Sequence, residues 1–172
     1  MTLDSMQTLL VAQLRDIYSA EKQLTRALPR MAKGAESEEL AIAFLDHLDQ
    51  TKEQLRRLEQ ACELLGVSPR GTRCKGMEGL LAEGAETLDE SGDPAVIDAN
   101  LIADAQRIEH YEIAAYGTAK SIAQLLGEAG IVSLMDQTLQ EEVATDRKLT
   151  SIALGDVNPR AAMAGTSSDP EE

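Results

Sequence analysis

The stretch RIEHYEIAAYG, residues 107–117, sets Glu109 and Glu112 three apart within a helical stripe that otherwise holds Ile102, Ala105, Tyr116 and Ala119. Residues three apart share a helix face. A carboxylate held beside apolar groups either finds a partner or takes up a proton, because an unpaired buried charge costs more than a marginally stable fold tolerates. Two on one stripe ask for a cation, and the rest of the chain is read for what converges on them.

The 172-residue chain carries a formal charge of −14, is 43% hydrophobic, and contains no Trp, one Phe and three Tyr. That length suits a single domain with one sizeable core. With so few aromatics, the core must be Leu, Ile, Ala and Met, the usual filling of packed helices rather than sheets. The charge disfavours long-range attraction to nucleic acid or an anionic membrane, while leaving room for a local basic patch. No apolar run reaches the roughly 20 residues of a membrane span, and the amino terminus lacks the pattern of a signal peptide, so a cytoplasmic protein is expected. Cys62 and Cys74 are not in a C-x-x-C pattern. A free, partly buried thiol at Cys62 is expected, with a disulfide as the alternative.

From Leu3 to Met31 the residues Leu3, Leu10, Ile17, Leu24, Met31 and Leu14, Glu21, Leu28 form two interleaved seven-residue series. They predict one helix about 40 Å long, in which Glu21 fills a slot that the period assigns to Leu. Pro29 should kink or close its last turns near Lys33 and Gly34. Ser37 caps a second helix, ended by Gly66, whose apolar face is Leu40, Phe44, Leu48, Thr51, Leu55, Leu58, Cys62 and Leu65. His47, Gln50 and Gln54 lie along one edge of that face, at the level of the acids, as candidate additional or supporting ligands. Residues 67–94 are rich in Gly and acids, with a short helix between Lys75 and Leu88. This connection is much longer than the about 2–8 residues of a helical hairpin and can carry the chain from one end of a bundle to the other. A third long helix starts at Asp93 and Pro94 and reaches about Leu126. A fourth carries Ile131, Met135, Thr138, Glu142, Thr145, Leu149 and Ile152 on one face and ends before Gly155. Residues 1–155 are thus expected to form the bundle, and 156–172 a flexible acidic tail.

Four long helices joined short, long, short are the plan of a bundle with one long crossover. Glu21, Glu109, Glu112 and Glu142 bring acids to its core stripes, and Asp146 lies one turn beyond Glu142. Few Lys or Arg share those stripes, and oxygen-rich sites suit divalent ions. For single residues plainer readings stand beside this one: Glu21 as a boundary residue paired with Arg15, Lys22 or Arg26, His47 as a hydrogen-bonded core histidine, and Gln50 and Gln54 as solvated amides. A gapless internal echo aligns LRDIYSAEKQL (14–24) with AQRIEHYEIAA (105–115), setting Glu21 opposite Glu112 and Tyr18 opposite Glu109. In the other helices, Gln50 and Gln54 fall opposite Glu142 and Asp146.

LRDIYSAEKQL, FLDHLDQTKEQLRRLE, AQRIEHYEIAAYGTA and LQEEVATDRKLTSIA, spread over residues 9–153, resemble the ferritin-like family of bacterial stress-associated proteins typified by YciE and YciF, also called the DUF892 family. The resemblance implies an all-α, ferritin-like four-helix bundle, a homodimer and a carboxylate-rich centre similar to a di-iron site. By position it makes Glu21, Glu109, Glu112, Glu142 and Asp146 the metal ligands. Family members tend to carry Glu where Gln50 stands, a departure that points to partial occupancy or a mononuclear site. His110 points about 100° away from Glu109 along the helix and is read more as a supporting or surface residue than as a ligand.

Two functions are weighed. In the first, two Fe or Mn ions held by these carboxylates serve oxygen or peroxide chemistry or metal handling, with Tyr18 or Tyr111 as a hydrogen-bond or electron donor. In the second, a metal-free structural or interaction protein of the stress response pairs the acids with Arg107, Arg15 or one another. Neither a nucleotide fingerprint nor a nucleophile triad is present. A C2 dimer through the outside of the first two helices, at Leu9, Ile42 and Leu64, is expected rather than a cage.

Overall fold

The computed structural model describes residues 2–164 and contains only helices among them. The four long ones are α1 (Met6–Gly34), α2 (Glu38–Leu64), α4 (Pro94–Leu125) and α5 (Ala129–Ile152), and the crossover carries the short α3 (Lys75–Asp89). The architecture is the ferritin-like four-helix bundle with a long crossover that the connection lengths imply.

α1 follows its seven-residue register closely. Leu10, Leu14, Ile17, Glu21, Leu24, Leu28 and Met31 are all buried, and the helix runs through Pro29 to Gly34 without stopping. Leu3 of the expected series lies before the helix and is exposed. α2 departs from the expected face: its buried row is Leu40, Phe44, His47, Thr51, Gln54 and Leu58, so His47 and Gln54 take the places assigned to Leu48 and Leu55. The spacing 4, 3, 4, 3, 4 is the half-heptad rhythm of bundle packing, and it overrides the apolar character of the two leucines.

Two of the long helices, α2 and α4, end on glycine in a left-handed conformation. Gly66 (φ 66°) follows α2 and Gly127 (φ 75°) follows α4. Val67 N–H then donates to the Cys62 carbonyl and Glu128 N–H to the Ala123 carbonyl, the six-to-one bond that ends a helix and turns the chain back. Cross-helix bonds fix the packing directions. Gln54–Glu142, Arg57–Glu141 and Lys148–Asp46 run α2 antiparallel to α5, while Gln106–Thr150 and Lys120–Asp136 do the same for α4 and α5.

Two apolar clusters result. One gathers Leu24, Leu28, Phe44, Met77, Leu101 and Ile108, the other Leu10, Leu14, Leu58, Tyr116, Ile131 and Met135. A polar layer containing Glu21, His47, Glu109, Glu112 and Glu142 lies between them. Both cysteines are free and buried, so no disulfide forms, and Cys74 caps the start of α3.

The carboxyl end differs from the expected tail. α5 passes into a π-helical turn, Ala153–Val157, and then α6, Asn158–Ala164. Ala153 and Val157 are buried, and Asp156 accepts a hydrogen bond from Ser37 Oγ at 3.2 Å. The bundle therefore extends past residue 155; the rest of the expected tail, residues 165–172, lies outside the described residues.

Asp98 of α4 pins the same end. Fully buried, it accepts from the Glu36 and Ser37 backbone N–H groups at 2.9 and 2.7 Å, fastening the α1–α2 turn. Asp98→Ala should cost roughly 2–4 kcal/mol, because two donors lose a charged acceptor; urea unfolding midpoints of the two proteins measure it.

Candidate metal centre

The polar layer is supplied by one residue or pair from each long helix. Glu21 comes from α1, His47 and Gln54 from α2, Glu109 and Glu112 from α4, and Glu142 from α5. Glu21, Gln54, Glu109, Glu112 and Glu142 are all 0% exposed and His47 only 3%. Their backbones are helical and packed on both sides, so the side chains converge without any loop to position them.

His47, Glu109, Glu112 and Glu142 each offer one ligand atom within 4.8 Å of the others. His47 Nδ1 lies 3.1 Å from Glu109 Oε1, and its Nε2 3.6 Å from Glu142 Oε2. Even so, both oxygens of Glu109, both of Glu112, one each of Glu21 and Glu142, and His47 Nε2 have no hydrogen-bond partner. Buried polar atoms are normally satisfied, and a group of them left over on convergent side chains describes a place where a cation fits. One imidazole with several carboxylates is a donor set for divalent ions of the Fe, Mn and Zn type rather than for Ca or Mg alone.

Electrostatics agree with the geometry. Burial pushes the Glu21, Glu109 and Glu112 carboxyls well above the ordinary carboxylate range, and the neighbouring charges push further: Glu142 on Glu21 and Glu109, Glu21 and Glu142 on Glu112. The cations named by the metal-free reading are engaged elsewhere. Arg107, half exposed, pairs with Asp104 at 2.5 Å, and Arg15 Nε donates to the Ser68 carbonyl. Lys22 and Arg26 are exposed, whereas Glu21 is buried.

The expected residues divide. Asp146 stays outside the cluster, 22% exposed, accepting from Gln106 Nε2 at 3.0 Å with His110 Nε2 at 3.5 Å. Gln50 is half-buried and accepts from the Thr145 hydroxyl at 3.2 Å. Both miss the layer for one reason: the inner row steps 47, 51, 54 on α2 and 142, 145, 149 on α5, which leaves 50 and 146 one position off. Gln54, by contrast, donates to Glu142 Oε1 and to Glu141 Oε2. Glu141 is held in turn by both terminal nitrogens of Arg57 at 2.6 Å. His110 is exposed, 70% of its side chain, and takes no part.

The tyrosine reading needs correction. Tyr18 turns outward to Glu59 at 2.8 Å, and Tyr111 bonds Asp16 and Cys74. Tyr116 is the phenol of the layer: fully buried, it donates to Glu21 Oε1, and burial beside Glu21, Glu112 and Glu142 holds its hydroxyl protonated far above neutral pH. Its place one turn after Glu112 on the same stripe was the available signal; as a large ring on that stripe it passes for plain core.

A groove of about 750 Å³ between α2 and α5 leads from solvent to His47, walled by Asp46, Gln50, Arg57, Glu141 and Lys148. Its charged walls suit water, ions and small polar reactants.

A family model described as a domain of unknown function, DUF892, matches residues 5–162. The chain belongs to the DUF892 family. It is 42% identical over 162 residues to protein YciF of Escherichia coli K12, covering 94% of this chain and 98% of that one. The crystal structure of the E. coli stress protein YciF superposes with a TM-score of 0.88 over 91% of this chain and 99% of the other. YcfI of Rhodopseudomonas palustris gives 0.85 at 42% identity, covering 89% and 99%. A Xanthomonas campestris protein at 21% identity and a TM-score of 0.73 shares the fold. This DUF892 chain thus carries the four-residue cluster inside a family fold that extends over nearly its full length.

The raised carboxyl pKa values set a pH dependence. Folded acids that hold protons more tightly than unfolded ones favour the fold fully below the unfolded value, about 4.3 for Glu, and the advantage disappears as pH rises through the folded values. Metal-free protein should therefore melt lower at pH 8 than at pH 5.5, with a flatter dependence in Glu112→Gln; thermal melts after chelator treatment measure both.

Proposed function

We propose that the protein is a stress-associated ferritin-like metalloprotein that binds iron or manganese in its polar layer, for oxygen or peroxide chemistry or for metal handling. The observation that carries this is the set of partnerless buried oxygens beside His47. His47, Glu109, Glu112 and Glu142 form the stronger position; Glu21, with Glu112, offers a second and weaker one that would make the centre dinuclear. A redox-active ion held there would supply electron exchange with dioxygen or peroxide. The chain's own part is to hold four acids in a dry layer, to fix Glu142 through Gln54, and to keep a proton on Tyr116 beside Glu21. The charged α2–α5 groove favours small polar reactants over a bulky organic substrate. The family relative named a stress protein supports the stress association.

Glu112→Gln keeps shape and removes charge at the residue between the two positions. After anaerobic Fe(II) or Mn(II) loading, metal analysis should give about one tightly held ion per chain, with affinity falling at least about tenfold in the variant. In chelator the variant should be as stable as the parent or more so, since like charges in the layer repel. An equal loss of stability with and without metal would sink the metal reading and leave the structural one.

We propose further a C2 dimer built on the outer face of α1 and α2, where Ile42 and Leu64 are 49% and 60% exposed and Leu9 is half-buried. Light scattering at micromolar concentration should give twice the chain mass, and Ile42→Glu should shift it to the monomer; a cage-sized particle would contradict the proposal.

A further inference from the structure

A second pocket, about 190 Å³, opens between α1 and α3 above α4 and includes none of the residues of the polar layer. Its floor and walls are apolar: Ala27 and Met31 of α1, Leu81 and Leu88 of α3, and Ile108 of α4. Its rim holds Arg26, Arg30 and Arg73. An adjoining depression shares Gln23, Arg26 and Arg73 and adds Lys22 and Arg70. Five basic residues thus surround the two hollows, and the one acid lining either is Glu78. In a chain with 30 acids to 16 Lys and Arg, this is a local reversal of sign. Glu78 is taken by Arg73, at 2.9 Å. Arg26 and Arg30 are exposed, with no carboxylate within ion-pair distance among the described residues.

We propose that this pocket binds a small amphipathic organic acid: a ring-sized apolar body on Leu81, Leu88 and Ile108, and a carboxylate against Arg26 and Arg30. The volume sets the size class, since an apolar cavity of about 150 Å³ accommodates benzene, and drug-sized or nucleotide-sized ligands occupy roughly 300 Å³ or more. Guanidinium groups match a carboxylate through paired N–H donors. The site stands independently of the metal reading.

The test is titration calorimetry and amide-shift mapping on the full chain at low salt, with benzoate, cyclohexanecarboxylate, phenol and inorganic phosphate as probes. Both organic acids should bind, with shifts at Ala27 and Leu81. Phenol and phosphate alone should be at least about tenfold weaker than benzoate. Arg26→Gln with Arg30→Gln, both on the surface and harmless to folding, should reduce benzoate affinity at least about tenfold. Absence of binding by any of the acids at millimolar concentration, unchanged affinity in the double arginine variant, or phosphate binding as well as benzoate would each overturn the proposal.

Discussion

The constraint on which the bundle depends is that Glu21, Glu109, Glu112 and Glu142 are fully buried in one layer, with a single imidazole and no lysine or arginine among them. Desolvation and mutual repulsion both oppose their ionised forms, which is why the carboxyls of Glu21, Glu109 and Glu112 are driven toward protonation. A bundle core has no need of acids, and Leu at these positions would pack at no electrostatic cost. Two apolar clusters, one on each side of the layer, hold the helices together strongly enough to keep it closed. The fold thus supports a destabilised centre from both ends, the arrangement expected where function rather than packing chooses the residues.

Much of this was legible in the amino-acid order. The seven-residue series of α1 located Glu21 in the core, the pair at Glu109 and Glu112 marked the third long helix, and the length of residues 67–93 identified the crossover. What kept the histidine a secondary candidate was a conflict between rhythm and chemistry on α2. Leu48 and Leu55 look more buried than His47 and Gln54 by residue type, while the 4, 3, 4, 3, 4 spacing from Leu40 to Leu58 selects the polar pair. Spacing is set by all four helices packing together, and a tertiary constraint of that kind is only faintly written in one helix. Tyr116 was concealed for the opposite reason, because an aromatic ring fits a core stripe whether or not its hydroxyl has work to do.

The internal echo holds at the middle of the site and breaks around it. Glu21 and Glu112, opposite in the alignment, are both fully buried in the middle of the layer. Away from them the equivalence fails: Glu109 faces His47 while its counterpart Tyr18 leaves for Glu59, and Glu142 is buried while its counterpart Gln50 sits at the groove. The paired sequence segments therefore carry a one-sided set of donors. Glu141 and Glu142 illustrate how such asymmetry is kept sharp. Adjacent in sequence, they are separated by Gln54 and Arg57, which draw one carboxylate toward the surface and leave the other inside.

The π-helical turn at Ala153–Val157 acts on the same rhythm at the end of the chain. Along α5 the buried row advances through Met135, Glu142 and Leu149 in sevens, and a further seven would deliver Asp156 into the core. The wider turn accommodates an extra residue in the helix, and the phase slips by one. Val157 takes the interior slot, while Asp156 swings out to meet Ser37 and Arg160. A frameshift in the packing register, rather than any change of composition, decides that the bundle closes on a methyl-bearing side chain and that Asp156 becomes a clasp across the turn between α1 and α2.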